Sequence, residues 1–213
     1  MDQPCAPPKD EAARVRLGAG TGTKADVLIN LANDTSVTVR AALALNTAAP
    51  PGVNAMLAGD SDERVRILLA RKLTALVPGL SAAEHAQLHQ ETWDTLKALV
   101  ADEAVRVRAI IAEAVKELPD APRGLIRQLA HDTEKSVFEP VIRLSPLLTT
   151  EDLLTLVARA PANGTVLAVA HRADQIAFHI RCHARGRSPA PGPLRGLQWY
   201  AWFRLRTEVP PSQ

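Results

Sequence analysis

Residues 57–66 read LAGDSDERVR, and three other segments of the chain repeat this pattern closely. They are residues 31–40 (LANDTSVTVR), 99–108 (LVADEAVRVR) and 129–138 (LAHDTEKSVF). Each segment begins with Leu, has Asp three residues later and Val five residues after the Asp. Self-similarity at intervals of this size is typical of repeat proteins.

A shorter copy near the N-terminus is aligned on Asp10, which is followed by Val15 and Arg16. The intervals between successive Asp residues are then 24, 26, 42 and 30 residues. Such intervals fit a unit made of a short helix, a turn and a second helix. The longest interval is expected to hold an extra segment, a helical pattern over residues 81–99 that opens with a Ser-x-x-Glu capping box.

The residues after each Asp have the apolar period of an amphipathic helix, with Ser36 and Asp62 as good N-caps. In residues 107–118, apolar side chains recur every three or four positions along one face. A unit of two helices cannot bury such a stripe alone, whereas stacked units bury it continuously. The sequence therefore predicts an all-α fold, a right-handed α-solenoid of about five helical hairpins.

These units resemble HEAT-type and leucine-rich-repeat-variant α-solenoids, most closely over residues 39–60. With residues 105–122 and 140–154 included, the chain is similar to an uncharacterised bacterial domain family built from HEAT-like repeats. The resemblance covers residues 10–172 and implies no activity.

In related repeats the Asp closes the turn onto backbone N–H groups, and the Arg six residues later pairs with an acidic group of the neighbouring unit. The resemblance assigns this structural role to Asp34, Arg40, Asp60, Arg66, Asp102, Arg108 and Asp132. Arg16 is expected to belong to the same ladder. Phe138 stands where the Arg is expected in the last copy, which suits an end of the ladder.

Composition and charge divide the chain into three regions: a disordered N-terminus (1–9), the repeat domain (10–172) and an irregular tail (173–213). The whole chain has a net charge of +2, but the tail alone carries six Arg against two acidic residues. A slightly acidic repeat domain is poor support for nucleic-acid binding, which needs a basic face. No stretch is long and apolar enough to span a bilayer, so a soluble, cytoplasmic protein is expected.

The tail has two interpretations, which the residues leave open. It is either a disordered basic segment whose aromatic run, Trp199 to Phe203, docks on a partner or a membrane surface, or the product of a shifted reading frame. The resemblance favours a frameshift or truncation, because a further helical unit is expected after Arg172. On either interpretation we expect residues 174–213 to add nothing to the fold.

Candidate chemical sites are few. His85 and His89 have the spacing of two metal ligands on a helix, but no third ligand is identifiable, so a surface pair is predicted. The tail residues His179, Cys182 and His183 lack a second cluster. Residues 18–24 are rich in Gly but depart from the phosphate-loop spacing. No catalytic motif appears, so no enzyme, metal or cofactor is predicted.

The predicted function is that of a scaffold, which binds a protein or peptide of unknown identity on the solenoid surface. The alternative is a nucleic-acid-binding HEAT-like module, or an enzyme grafted on the fold. A continuous basic stripe would favour that alternative, and its members would be Arg66, Arg71, Lys72, Arg106 and Arg108. Three of these, Arg71, Lys72 and Arg106, are predicted to lie on the interaction surface.

Overall fold

The fold was examined in a computed structural model, which describes residues 9–79 and 86–173. Within these residues the chain is all-helical and contains no strand. The helices are α1 (Glu11–Ala19), α2 (Ala25–Leu31), α3 (Val37–Leu45), α4 (Pro51–Ala58), α5 (Glu63–Leu76), α6 (Ala86–Val100), α7 (Val105–Val115), α8 (Arg123–Ala130), α9 (Lys135–Leu144) and α10 (Thr150–Arg159). A last helix, α11, covers residues 165–173.

The helices pack in two rows. In the first row α1, α3, α5, α7 and α9 follow one another, each packed against the next. In the second row α2 packs on α4, α4 on α6 and α6 on α8. Each second-row helix also contacts the first-row helices before and after it, so consecutive helices zigzag between the rows.

The repeated Leu and Val residues form the centre of the core between the rows. The Leu that opens each repeated segment and the Val five residues after the Asp are at most 1% exposed; they are Leu31, Val39, Leu57, Val65, Leu99, Val107, Leu129 and Val137. All of them belong to one continuous cluster of buried apolar side chains. Burial of apolar area drives folding, so the residues that recur in the repeat pattern are those that form the core.

Within its described residues, the long interval between Asp60 and Asp102 contains a single 3-10 turn at Val77–Gly79 and no α-helix besides α5 and α6. Helix α6 takes the second-row place between α4 and α8. The interval is longer because α5 has 14 residues against 9 in α3, and α6 has 15 against 8 in α4. The expectation of an extra segment is therefore corrected to two longer helices and a longer connection. The predicted capping box at 81–84 lies outside the described residues.

Small residues lie where neighbouring first-row helices come closest. Gly18 is buried, and a Cβ atom placed on it would lie 3.3 Å from the carbonyl oxygen of Val39. The corresponding positions of the next three first-row helices hold Ala44, Ala70 and Ala112, all 0% exposed. Gly18, first noted in a Gly-rich stretch, thus has a packing role in α1.

The last helix pair, α10 and α11, continues the arrangement. Thr149 and Asp152 form a capping box at the start of α10. The chain then turns through Ala160, whose φ of 37° is left-handed, into α11. The buried Arg172 of α11 donates hydrogen bonds to carbonyl oxygens at the C-terminal end of α9, which places α11 beside α9. None of the described helices is long and apolar enough to cross a membrane.

Candidate functional site

The Asp residue of each repeated segment organises the turn between a second-row helix and the next first-row helix. Its backbone N–H donates to the carbonyl of the Leu three residues earlier, and its Oδ1 accepts from the N–H two residues later at 2.8 Å. The same geometry occurs at Asp34, Asp60, Asp102 and Asp132. These four residues therefore close equivalent turns by accepting otherwise unpaired N–H groups.

An Arg from the preceding first-row helix binds both carboxylate oxygens of each Asp. Its Nε donates to Oδ2, at 2.7 Å in Arg14–Asp34, Arg40–Asp60 and Arg108–Asp132, and Arg66 donates to Asp102 in the same way. Its second guanidinium nitrogen donates to Oδ1 in all four pairs. Bidentate pairing of this kind matches the planar fork of guanidinium to the two oxygens of a carboxylate.

The third guanidinium nitrogen connects the pair to the preceding turn. Nη1 of Arg40 donates to the carbonyl oxygen of Asp34, and Nη1 of Arg66 donates to that of Asp60, both at 2.6 Å. Nη1 of Arg108 repeats the contact with the carbonyl oxygen of Asp102 at 2.8 Å. Each Arg thus joins two successive turns, and the result is one continuous Arg–Asp ladder from Asp34 to Asp132.

The ladder is shielded from water. The paired side chains of Arg40 and Asp60 are 12% and 4% exposed, and the other three pairs are at most 16% exposed. Hydrogen bonding to the partner Asp raises the pKa of Arg40, Arg66 and Arg108. Burial acts to raise the pKa of Asp34, but hydrogen bonds from Arg14 and from the Ser36 N–H outweigh it, so this pKa is lowered. Since the guanidinium donors are already satisfied, the ladder connects repeats and offers little to a ligand.

The N-terminal member of the ladder is Arg14, and the prediction of Arg16 is wrong. Arg16 is a surface residue, 73% exposed, whose nearest carboxylate is Asp10 at 3.9 Å. The correct alignment counts back from the next Asp, because Arg14 precedes Asp34 by 20 residues, as Arg40 precedes Asp60. The 20-residue spacing to the next Asp could have identified Arg14 from the sequence. Alignment on Asp10 instead selected Arg16, two residues later.

The ladder ends at Phe138, which is 1% exposed and packs in the core. The next turn is organised differently, since Asp152 caps α10 through Thr149 and pairs with Arg127 of the second row at 2.8 Å. The change from Arg to Phe therefore coincides with a change in the contacts between successive units.

The outward side of α3, α5 and α7 carries half-buried apolar residues. Two positions per helix, one and two residues after the ladder Arg, line this side: Ala41, Ala42, Ile67, Leu68, Ala109 and Ile110. Arg71 and Arg106 are exposed beside them, and neither side chain makes a hydrogen bond or ion pair within the described part of the chain. We call this surface, with Glu113 on the same side of α7, the first-row face.

Lys72, predicted to share an interaction surface with Arg71 and Arg106, is buried at 6% exposure and cannot contribute to one. Its Nζ donates to Oδ1 of Asn54 at 2.6 Å and to the carbonyl oxygen of Asn46 at 3.2 Å. Asn46 in turn donates to the carbonyl oxygens of Gly18 and Gly20. Burial lowers the pKa of Lys72 to about 8, since no carboxylate neutralises it. Asn46 and Lys72 stand at the same repeat position, 12 residues after Asp34 and Asp60, and each donates to a carbonyl oxygen 26 residues earlier. Sequence periodicity missed this network because the residue type at that position differs from one repeat to the next.

The five residues named for a basic stripe do not form one. Arg66 and Arg108 are neutralised by Asp102 and Asp132 in the ladder, and Lys72 is buried. Only Arg71 and Arg106 remain exposed, and Glu113, which is 64% exposed, lies on the same face.

Of His85 and His89, predicted to be a surface pair, only His89 lies in the described part of the chain. Nε2 of His89 accepts a hydrogen bond from Nε1 of the buried Trp93 at 3.0 Å, so this nitrogen already has a partner. His85, His179, Cys182 and His183 lie outside the described residues. Among the described residues no group of three or more His, Cys, Asp or Glu side chains could hold a metal ion.

Comparisons of the sequence and the structure with protein families, curated proteins and solved structures gave no match. The geometry of the chain itself is therefore the basis for any functional assignment.

Proposed function

We propose that this chain is a right-handed α-solenoid of HEAT-like repeats that binds a protein or peptide on its first-row face. The observation that carries the proposal is the combination of half-buried apolar side chains, chiefly Ile67, Leu68 and Ile110, with two exposed guanidinium groups that have no partner among residues 9–79 and 86–173. An apolar centre flanked by polar groups is the usual composition of a protein-binding surface. Arginine is also enriched among residues that dominate binding energy.

The mixed charge of the face supports a polypeptide ligand over a nucleic acid. A nucleic acid presents a uniform row of phosphates, and its binding needs a run of cations that displace counterions. The first-row face has Arg106 and Glu113 seven residues apart on one side of α7, with Glu113 paired to Lys116, so both signs of charge occur on it. A polypeptide can complement both signs and also cover the apolar side chains.

The test is affinity capture from a lysate of the source organism with the full chain, followed by mass spectrometry. Proteins that bind this face should be captured by the native chain and lost with Ile110→Glu and, separately, with Arg71→Glu plus Arg106→Glu. The matched control is Met56→Glu, because Met56 is 41% exposed on α4 in the second row. Retention of every captured protein by both face variants would contradict the proposal.

Capture from a lysate does not distinguish direct from indirect binding, so the dissociation constant of one purified captured protein is measured next. For one captured protein, Kd should rise at least tenfold for Ile110→Glu, a change of about 1.4 kcal/mol. Binding that instead follows ionic strength alone, and competes with single-stranded nucleic acid, would favour the nucleic-acid alternative.

A further inference from the structure

The largest concentration of exposed apolar side chains lies at the C-terminal end of the described chain. Leu154 and Val157 of α10 are 66% and 40% exposed, and Val166 and Leu167 of α11 are 50% and 56% exposed. These four make up half of the exposed large hydrophobic residues among those described. We call them the end patch.

The end patch lies on the last helix pair of the two rows. Every first-row helix from α1 to α7 has another first-row helix packed against it on the following side, and α11 in turn lies against α9. Terminal units of repeat proteins normally present a polar outer surface to water. The last described pair presents four large aliphatic side chains instead, and exposed apolar side chains in such number are typical of surfaces that another segment or molecule covers.

Two buried polar atoms of α11 also have no hydrogen-bond partner among the described residues. The hydroxyl of Thr165 is fully buried and has no hydrogen-bond partner. Nε of Arg172, a residue that is 3% exposed, is likewise unpaired although Nη1 makes two hydrogen bonds. Buried polar groups normally find partners, so the end of the stack is incomplete in its polar contacts as well.

We propose that residues 197–203 of the same chain, LQWYAWF, dock on the end patch and cap the stack. The connection is short enough: residues 174–196 span about 25 Å on average if flexible, more than two helix diameters of about 10 Å. The segment contains Trp199, Tyr200, Trp202 and Phe203, which are four of the seven aromatic residues of the chain. Each aromatic ring can cover a large apolar area, and attachment to α11 makes docking intramolecular.

This proposal replaces the expectation from the sequence that residues 174–213 add nothing to the fold. That expectation was based on the absence of a helical period in the tail. A period is needed to stack a further unit, but a short aromatic segment can cover an apolar surface without one. The docking of residues 197–203 on the end patch is independent of the first-row face, which lies on α3, α5 and α7.

Acrylamide quenching of tryptophan fluorescence in the full chain tests the proposal. Trp93 is 2% exposed and contributes a constant background, so the change reports on Trp199 and Trp202. We expect both to be shielded in the native chain, and the quenching constant to double at least in the Leu154→Glu, Leu167→Glu double variant. The end patch is solvent-exposed in the described residues, so this variant should keep its helical circular dichroism.

The matched control is Leu45→Glu, because Leu45 is 52% exposed at the C-terminal end of α3, far along the chain from the end patch. It should leave quenching unchanged. The measurement is repeated over a hundredfold range of protein concentration with the molecular mass determined by light scattering. Tail tryptophans that are as accessible as in urea would overturn the proposal. Shielding that appears only with dimer formation would overturn it too, and would assign the patch to a second copy.

Discussion

The two edges of the first row are built in different ways. At the edge formed by the Asp turns, four Arg–Asp pairs repeat the same bidentate geometry from α1 to α9. At the opposite edge, neighbouring helices are joined by three unlike side chains, Asn46, Lys72 and Arg172, which all donate to backbone carbonyl oxygens of the preceding unit. Both edges supply hydrogen-bond donors to backbone carbonyl oxygens. The first edge uses the same Arg in each repeat, whereas the second uses a different residue type each time.

One stack of helices can therefore be held together by an identical ion pair in each repeat at one edge and by different side chains in each repeat at the other. The ladder can be repeated because each Arg finds an Asp one unit away at the same place. A cation without a carboxylate, such as Lys72 or Arg172, carries a desolvation cost that only the local carbonyl groups offset. Perturbations of the two edges should therefore differ in size and in pH dependence.

The largest effect is expected from Asp102→Ala. The change removes the partner of Arg66, which is largely buried, and also the acceptor for the Ala104 N–H. Breaking a buried ion pair from one side costs about 3–5 kcal/mol, more than loss of a turn cap alone. Urea unfolding followed by circular dichroism measures the loss.

The control for that experiment is Asp62→Ala, which removes an N-cap and an exposed pair with Arg64. Its effect should be clearly smaller. Equal losses for the two variants would mean that the ladder adds nothing beyond capping.

The second prediction is that Lys72, at the edge opposite the Asp turns, makes the free energy of unfolding depend on pH. Burial holds the pKa of Lys72 at about 8, below its ordinary value of 10.5. The unfolded chain therefore binds more protons between these values, and stability rises with pH across this window by about 3 kcal/mol. The free energy of unfolding of the native chain should increase relative to that of Lys72→Met between pH 7 and pH 10.5. A constant difference across this range would show that Lys72 is not desolvated.

A third, smaller effect concerns Asn46, which is 2% exposed. Asn46→Ala removes the donors to the carbonyl oxygens of Gly18 and Gly20 and should cost about 2 kcal/mol, because both acceptors lose a partner. Asn30→Ala on the exposed side of α2 is the matched control. Thermal unfolding of the two variants compares them, and similar melting temperatures would refute the role of Asn46.

Sequence periodicity predicted what the repeats share, the helices and the buried Leu and Val positions, and the resemblance to HEAT-like repeats pointed to seven of the eight side chains of the Arg–Asp ladder. These features recur, so each copy supports the alignment of the others. Asn46 and Lys72 share a repeat position, but the residue type there changes from Asn to Lys and then to Ala114, so no repeated residue marks the contact in the sequence. Of the three residues predicted to lie on an interaction surface, Arg71 and Arg106 are exposed, and their place on such a surface stays a prediction. Lys72, next in sequence to Arg71, points into the core because one residue turns a helical side chain by about 100°.

The smallest effect tests the end of the ladder itself. Arg14 binds Asp34 through two nitrogens, with side chains 16% and 8% exposed, whereas Arg16 is 73% exposed and lies 3.9 Å from Asp10. Arg16→Ala should change the free energy of unfolding by less than about 0.5 kcal/mol, as surface ion pairs usually do. Arg14→Ala should cost about 2 kcal/mol or more, because it leaves the shielded Asp34 carboxylate without its guanidinium. Both variants remove one Arg from α1, so chain charge and helix propensity change equally. A larger loss for Arg16→Ala would restore the alignment on Asp10 and remove Arg14 from the ladder.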